Sequence, residues 1–282
     1  MQDVMELTGD KQFLRAIVKN GYELPIGIEA YDFAQALLLN FASPDGELRD
    51  ELSYMILANG VIDKQVLSLD ELSALLTLCM DTQHLWYRIG EINTDGVFMR
   101  SFSVLTINTI LYADAKNPVL AAQVIHDARD ALLQYARAER DWRGYVPHKG
   151  WAHAMAHLAD ALDECAQNRY MTTEDRRDIL EMVRTLAQLP ESLYHEEDVR
   201  LAMIAYHLIV TKRLDDDTMN AWLMSCQVER GPDIASWTSA TNMKNFLRSL
   251  YFLLLWDNMA FPLVNQISSL LKQQDNLYVA QE

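Results

Sequence analysis

The 282-residue sequence contains few of the residues that break helices or cross-link chains: 10 glycines, 7 prolines and 3 cysteines. Long segments rich in leucine, alanine and methionine dominate instead, which is typical of helical proteins and excludes a sheet protein rich in turns. Cys79, Cys165 and Cys226 are odd in number and lie in apolar segments. We therefore expect buried thiols in a reducing compartment and no disulfide framework.

Basic residues are also scarce. The 24 lysines and arginines are outnumbered by 40 aspartates and glutamates, so the formal net charge is −16. No cluster of basic residues marks a local exception. Because an acidic surface repels phosphate groups, we expect no nucleic-acid partner, and we interpret the acidity first as a source of solubility.

The sequence predicts neither a membrane anchor nor a leader segment. The N-terminal residues are acidic and lack the basic and apolar regions of a signal peptide. The most apolar run, residues 250–256, is much shorter than the ~20 residues that span a bilayer. We expect a cytoplasmic protein that does not bind membranes.

Turn and capping residues divide the chain into roughly a dozen helical segments with short loops between them. Ser68 followed by Glu71 has the pattern of a capping box, and Gly60 is expected to end the helix before it. Residues 98–113 are apolar almost all round, as in an inner helix. The predicted helices cover residues 2–19, 31–41, 47–59, 68–79, 98–113, 118–139, 151 onward, 172–190, 196–212, 215–227, 241–258 and 262–274.

This rhythm of helix and short loop is typical of stacked helical hairpins. We predict an all-α fold in which the hairpins form a HEAT- or armadillo-like α–α superhelix, and a closed α/α toroid is the alternative. The sequence carries no residue-level repeat consensus. No linker divides it either, so we expect a single all-helical domain over residues 1–282.

The most distinctive stretch is DWRGYVPHKGWAHAMAHLAD, residues 141–160. Pro147 and Gly150 interrupt the chain, and the composition predicts a helix from residue 151 onward. At about 100° per residue, one face of this helix is polar and the opposite face is apolar. The polar stripe comprises His153, His157, Asp160 and Glu164, and the apolar face comprises Trp151, Met155, Leu158 and Leu162.

Two histidines four residues apart on one helical face are able to bind a divalent metal ion. His153 and His157 have this spacing, and Asp160 would add a carboxylate one turn later. Asp141 or His148 would complete the set from the preceding loop. The residue after the first histidine is alanine, where metalloprotease helices have glutamate. We favour the simpler interpretation, in which the histidines hydrogen-bond neighbouring carboxylates or backbone carbonyls.

The same stretch resembles the signature of an uncharacterised bacterial family of all-helical proteins, a domain of unknown function. The resemblance follows the pattern D-x-R-G-Y-x-x-x-K-G-W-x-H-x-x-A-H-x-x-D and extends over most of the chain, with a weaker match at residues 245–252. Val146 departs from it, since the family pattern usually has an acidic residue after the tyrosine. The resemblance implies an all-helical fold and a marked site, but no reaction. The matching positions are Asp141, Gly144, Tyr145, Lys149, Gly150, Trp151, His153, His157 and Asp160.

Other polar groups have a structural and a functional interpretation. The doublet His126–Asp127 would suit a helical phosphohydrolase with an earlier histidine and a later aspartate, but we favour an exposed helical face. Lys244 and Arg248 share a face with Tyr251, and we expect an ion pair with Asp160 or Asp141 in preference to an anionic ligand.

Two further patterns have structural interpretations. The acidic run 215–217 is expected to cap a helix. The six tryptophans are expected to belong to the core, and they are Trp86, Trp142, Trp151, Trp222, Trp237 and Trp256.

Three hypotheses follow for the function. The favoured one is a module that binds a protein or peptide in a polar groove around the central motif, without a cofactor. The alternative is a hydrolase that uses a divalent metal ion bound by His153, His157 and Asp160. A purely structural polar network is the third. The site residues common to these hypotheses are Asp141, Tyr145, Lys149, Trp151, His153, His157, Asp160 and Arg248.

Overall fold

Helices form nearly all of the regular structure in the computed structural model, which describes residues 2–258 and 261–274. The predicted all-α class is confirmed, since consecutive helices pack against one another across short connections. The chain forms two compact units, Met1–Glu164 and Cys165–Glu282, and the division falls within one helix. The superhelix, the toroid and the single domain concern the whole chain and stay predictions.

The first unit contains a small hairpin among its helices. Its α-helices are α1 (Gln2–Gly9), α2 (Lys11–Lys19), α3 (Ala30–Leu39), α4 (Leu69–Cys79), α5 (Gly96–Lys116) and α6 (Ala122–Ala138). Between α3 and α4 lie a 3₁₀ turn (Asn40–Ala42) and two π-helical segments (Glu47–Tyr54 and Leu57–Ile62). The hairpin strands are β1 (Tyr145–Val146) and β2 (Gly150–Trp151), and α7 (Ala154–Gln167) follows them.

The second unit continues from the end of α7 and is helical in all of its regular structure that is described. Its further helices are α8 (Thr173–Leu186), α9 (Glu197–Val210), α10 (Asp216–Ser225), α11 (Ile234–Trp256) and α12 (Phe261–Gln274). The long helix α11 packs against α9 and α12, and α12 also contacts α10.

Local capping signals predict several helix ends correctly. In α4, the Glu71 backbone nitrogen donates to Ser68 Oγ at 3.3 Å, and the Ser68 nitrogen donates to the Glu71 carboxylate at 2.8 Å. The Thr218 nitrogen donates to Asp215 Oδ1 at 2.7 Å, as the acidic run predicts. The prediction of one long helix over residues 2–19 is wrong. The Asp10 side chain accepts a hydrogen bond from the Gln12 nitrogen at 2.8 Å and caps the start of a second helix.

The predicted α-helix 47–59 is π-helical and does not end at Gly60. The Asp63 nitrogen donates to Ala58 O at 2.8 Å, five residues earlier. A Cβ at Gly60 would lie only 2.8 Å from Tyr22 O. This glycine is therefore required by the close approach of another backbone segment, and the prediction that it ends a helix is wrong.

Helix α5 is the core helix of the first unit, as its apolar sequence predicts. Buried side chains occur all round it, from Val97 to Leu111. By length and composition alone it is also able to cross a membrane, with a mean hydropathy of 1.2 in its most apolar window. However, 72% of that window is buried within the protein, which is typical of a core helix.

The aromatic residues only partly follow the prediction that tryptophans belong to the core. Trp222 is buried, and its Nε1 donates to Leu180 O at 2.9 Å. Trp151, Trp237 and Trp256 are exposed, so the prediction is wrong for these three. All three cysteines are buried, as expected.

Candidate functional site

The central motif forms a hairpin where a helix was expected to begin. Tyr145 pairs with Trp151 and Val146 with Gly150 in an antiparallel register. The backbone nitrogens of residues 152 and 153 both donate to Gly144 O, at 2.7 and 3.2 Å, which closes the base of the hairpin. Helix α7 therefore begins at Ala154, and the prediction that it begins at residue 151 is wrong.

The hairpin backbone is strained at two non-glycine positions. His148 has a φ of 65° and His153 a φ of 50°, and Gly150 adopts 86° without a side chain to oppose it. Left-handed backbone at a residue with a Cβ costs about 1–3 kcal/mol and persists only where the surrounding structure enforces it. The anchors of this hairpin must therefore hold it in place.

Arg49 is the first anchor, and it is completely buried. Its Nη2 donates to Lys149 O at 2.8 Å, and its Nη1 donates to Ser43 O at 2.8 Å. The guanidinium carbon lies 3.9 Å from the centre of the Phe98 ring, so the cation also has an aromatic contact. Arg49 thus connects the second strand of the hairpin to a segment 100 residues earlier.

Asp50 accompanies this arginine as its ionic partner. Its Oδ1 lies 2.6 Å from Arg49 Nε, although the two groups are not aligned as a hydrogen bond. Burial raises the pKa of the Asp50 carboxyl to about 6, since the charge of Arg49 offsets the loss of hydration only in part.

Two further ion pairs hold the sides of the hairpin. Asp141 is buried and accepts from Arg143 Nε at 2.7 Å and from the Asn93 backbone nitrogen at 2.8 Å. Lys149 Nζ lies 2.6 Å from Asp95 Oδ1, immediately before α5. The predicted site residues Asp141 and Lys149 therefore position the loop.

The base of the loop is held by a fully buried ion pair. Arg100 Nε and Nη2 donate to the two carboxylate oxygens of Glu139 at 2.6 and 2.8 Å. The same carboxylate accepts from the backbone nitrogens of residues 140 and 141. Because all of these donors converge on Glu139, the direction in which the chain leaves α6 is fixed.

The hairpin presents an aromatic surface, which we call the aromatic face: Tyr145, Trp151 and His153. Tyr145 is 48% and Trp151 38% exposed. Their rings meet edge to face with centres 5.1 Å apart, and the Trp151 ring stacks parallel to His153 at 4.1 Å. Three aromatic rings thus lie in contact with one another at the surface of the first unit.

The predicted polar stripe divides into separate environments. His153 precedes the helix, whereas His157 is buried on it. His157 Nδ1 lies 3.1 Å from Ser101 O, so this nitrogen is the donor, and the ring packs edge to face on Phe102. The favoured hydrogen-bonded interpretation agrees with this contact.

Asp160 lies further along α7 and lines a cavity of about 580 Å³ together with Tyr54 and Asn108. Burial raises the pKa of the Tyr54 hydroxyl, which shares a hydrogen bond with Thr109, and the charge of Asp160 raises it further. Among residues 2–258 and 261–274, no three His, Cys, Asp or Glu side chains are grouped to hold a metal ion. The metal set of His153, His157 and Asp160 stays a prediction.

The remaining candidates lie elsewhere. Arg248 belongs to α11 in the second unit, where its Nη1 lies 3.4 Å from Asn245 Oδ1; its predicted relation to the central motif stays a prediction. Asp127 is exposed on α6 and accepts from Gln123, as expected for a helical surface.

Sequence reasoning missed Arg49, Arg100 and Glu139. Each lies in a predicted helix or at its end, where an isolated charge is usually solvated. The sequence offered one signal for these anchors, which is the position of Arg100 within the apolar helix α5. A charge in such a helix requires a buried partner.

The fold and site together define an all-α protein whose mid-chain loop is fixed by buried charges so that it presents aromatic rings. The family model described as "Protein of unknown function (DUF2785)" matches residues 85–252, more than half of the chain. The chain belongs to this family. No curated protein and no solved structure matches it.

Proposed function

We propose that this chain is a binding module that captures a segment of a protein partner on the aromatic face. The observation that supports this proposal is the exposure of Tyr145 and Trp151 on a backbone held by the buried charges of Arg49 and of the Arg100–Glu139 pair. Charged groups from two earlier segments of the chain hold this loop, and they are Arg49, Asp95 and Arg100. Rigid presentation is what a recognition surface needs.

The chemistry of the aromatic face favours protein recognition. Tyrosine and tryptophan are enriched at the centres of interfaces, because each offers a large apolar area with few rotatable bonds. The ring of Trp151 is further restrained by its stack on His153. Little side-chain entropy would therefore be lost when a partner binds.

The charge of the chain favours a basic partner. A formal net charge of −16 steers cationic segments toward the protein. Lysine and arginine side chains also bind over the faces of tryptophan and tyrosine rings. The proposed ligand is therefore a peptide segment that carries lysine or arginine beside an apolar residue.

The test compares two double variants in an affinity experiment on a lysate of the source cells. Tyr145→Ala with Trp151→Ala removes the aromatic face, and Tyr194→Ala with Trp237→Ala removes two rings that are also exposed. We expect proteins retained by the wild type and the second variant to be lost from the first by about tenfold or more. The losses are then verified by titration of the purified partner.

Equal retention by both double variants would refute the proposal. Circular dichroism of each variant ensures that a loss of binding does not reflect unfolding. If the lost proteins bind without dependence on ionic strength, a basic ligand segment is the wrong assignment, because attraction between charges is screened by salt.

A further inference from the structure

A smaller cavity of the first unit lies among α1, α3 and the turn after α4. It has a volume of about 230 Å³. Its apolar wall includes Met5, Leu39 and Leu78, and its polar lining consists of Asp32, Gln35 and His84. None of these residues contributes to the hairpin or to its anchors.

His84 is the unusual member of this wall, because it is only 4% exposed. Its Nδ1 lies 2.8 Å from Asp81 Oδ1. A carboxylate only accepts hydrogen bonds, so Nδ1 carries a proton, and in the tautomer protonated at Nδ1 alone the other ring nitrogen, Nε2, is an acceptor. Within the described part of the chain, Nε2 is buried without a hydrogen-bond partner. Buried acceptors are normally paired in folded proteins, and a bound molecule with a hydrogen-bond donor would satisfy this one.

Asp32 provides a second acceptor in the same cavity. It is half-buried in the first turn of α3, and it forms no ion pair among the residues that are described. Two acceptors beside an apolar wall require a ligand with hydrogen-bond donors and a hydrocarbon body. A primary ammonium group has three donors and no acceptor, and the net charge of −16 attracts cations.

The volume sets the size of the hydrocarbon. A closed cavity of about 150 Å³ holds a benzene ring. This one has about 230 Å³ and is open to solvent at Met5 and Leu39, which are 48% and 46% exposed. We propose that it binds a small primary amine with an apolar body of about six carbon atoms. The ammonium group is directed toward His84 Nε2 and Asp32, and the hydrocarbon contacts Met5, Leu39 and Leu78.

The test is a calorimetric titration of the full chain with hexylamine, hexan-1-ol and hexanoate. We expect saturable binding of hexylamine, binding of hexan-1-ol at least about fivefold weaker, and no saturation with hexanoate, because the two acceptors repel its carboxylate. Hexanoate binding as tight as that of hexylamine would overturn the assignment, since the cavity would then recognise hydrocarbon alone.

Variants localise the site. Asp32→Asn and His84→Phe should each weaken hexylamine binding at least about fivefold, whereas Asp127→Asn and His126→Phe on α6 are matched controls that should not. Leu39→Lys introduces a competing ammonium group at the partly exposed edge of the cavity and should abolish binding even if His84→Phe does not fold. Equal binding by Asp32→Asn, Leu39→Lys and the controls would overturn the proposal.

Discussion

The loop before α7 in the first unit and the loop before α9 in the second are both irregular, but they are held by different chemistry. The first is anchored by charged groups: Arg100 with Glu139, and Lys149 with Asp95. The second is anchored over long range by a neutral amide, because Asn242 Nδ2 donates to Leu189 O and Glu191 O at 2.9 and 2.7 Å. The buried carboxylate of Glu197 bonds this loop only locally, accepting from the His195 backbone nitrogen at 2.7 Å.

This difference indicates what each anchor is for. A neutral amide satisfies backbone groups at a small cost in hydration, so it serves stability. A buried ion pair loses most of its electrostatic gain to desolvation and is weak evidence for stability, yet it tolerates only one geometry. The buried pair of Arg100 and Glu139 therefore fixes the position of the hairpin, which is consistent with a recognition surface.

Removal of Glu139 should have the largest effect, because Glu139→Ala leaves Arg100 buried without its ionic partner. We expect a loss of about 3–5 kcal/mol in the free energy of unfolding, measured by urea denaturation. Hydrogen exchange should show lost protection in residues 139–153 before the rest of the first unit. The exposed pair of Lys116 and Asp63, 3.8 Å apart, offers a control, and Asp63→Asn should change stability by less than about 0.5 kcal/mol.

The double variant Arg100→Met with Glu139→Met makes this result more specific. It removes both charges, so it should be less destabilising than Glu139→Ala alone. Recovery should be incomplete, because Arg100 Nη1 also donates to Tyr87 O and Arg88 O at 3.1 and 3.2 Å. If the double variant is less stable than Glu139→Ala, the loss of stability in Glu139→Ala does not come mainly from leaving Arg100 without its ionic partner.

The next effect depends on pH and concerns Asp50. Its folded pKa, about 6, exceeds the ordinary value of an aspartate, 3.8. Below pH ~4 the Asp50 carboxyl is protonated in both the folded and the unfolded chain, so it does not affect the free energy of unfolding. As the pH rises to ~6, this carboxyl ionises in the unfolded chain but not in the folded one, which favours unfolding. The penalty reaches about 2–3 kcal/mol above pH ~6, where it stays constant.

Asp50→Asn removes this titration. The difference in free energy of unfolding between Asp50→Asn and the wild type should therefore rise by about 2–3 kcal/mol from pH 4 to pH 7. Urea denaturation at four pH values measures it. The exposed Asp130 beside Arg129 gives a matched control, since Asp130→Asn should not show a rise of this size. A constant difference across the range would show that the Asp50 carboxyl is not destabilised by burial.

These anchors also show which parts of the structure could be predicted from the sequence. The capping box at Ser68 and the inner helix α5 were predicted correctly, because their signals lie within a few residues. The hairpin was not, because strands of two residues are too short to produce an alternating pattern, and because Arg49 acts on it from 100 positions away. The predicted start of α7 is too early, because His153 has a left-handed backbone conformation that amino-acid composition does not reveal.

The smallest effect tests the neutral anchor of the second unit. Asn242 is 2% exposed, and Asn242→Ala leaves two buried carbonyl groups without their donor. We expect a loss of about 1–3 kcal/mol in the free energy of unfolding, less than for Glu139→Ala.

Thr241→Ala on the adjacent exposed position of α11 should have almost no effect, because its hydroxyl bonds only within the helix. Asn242→Asp should be worse than Asn242→Ala, since a carboxylate would face the same two carbonyl oxygens. If Asn242→Ala instead costs as much as Glu139→Ala, the neutral and charged anchors contribute equally to stability, and the charges of the first loop lose their separate role in positioning the hairpin.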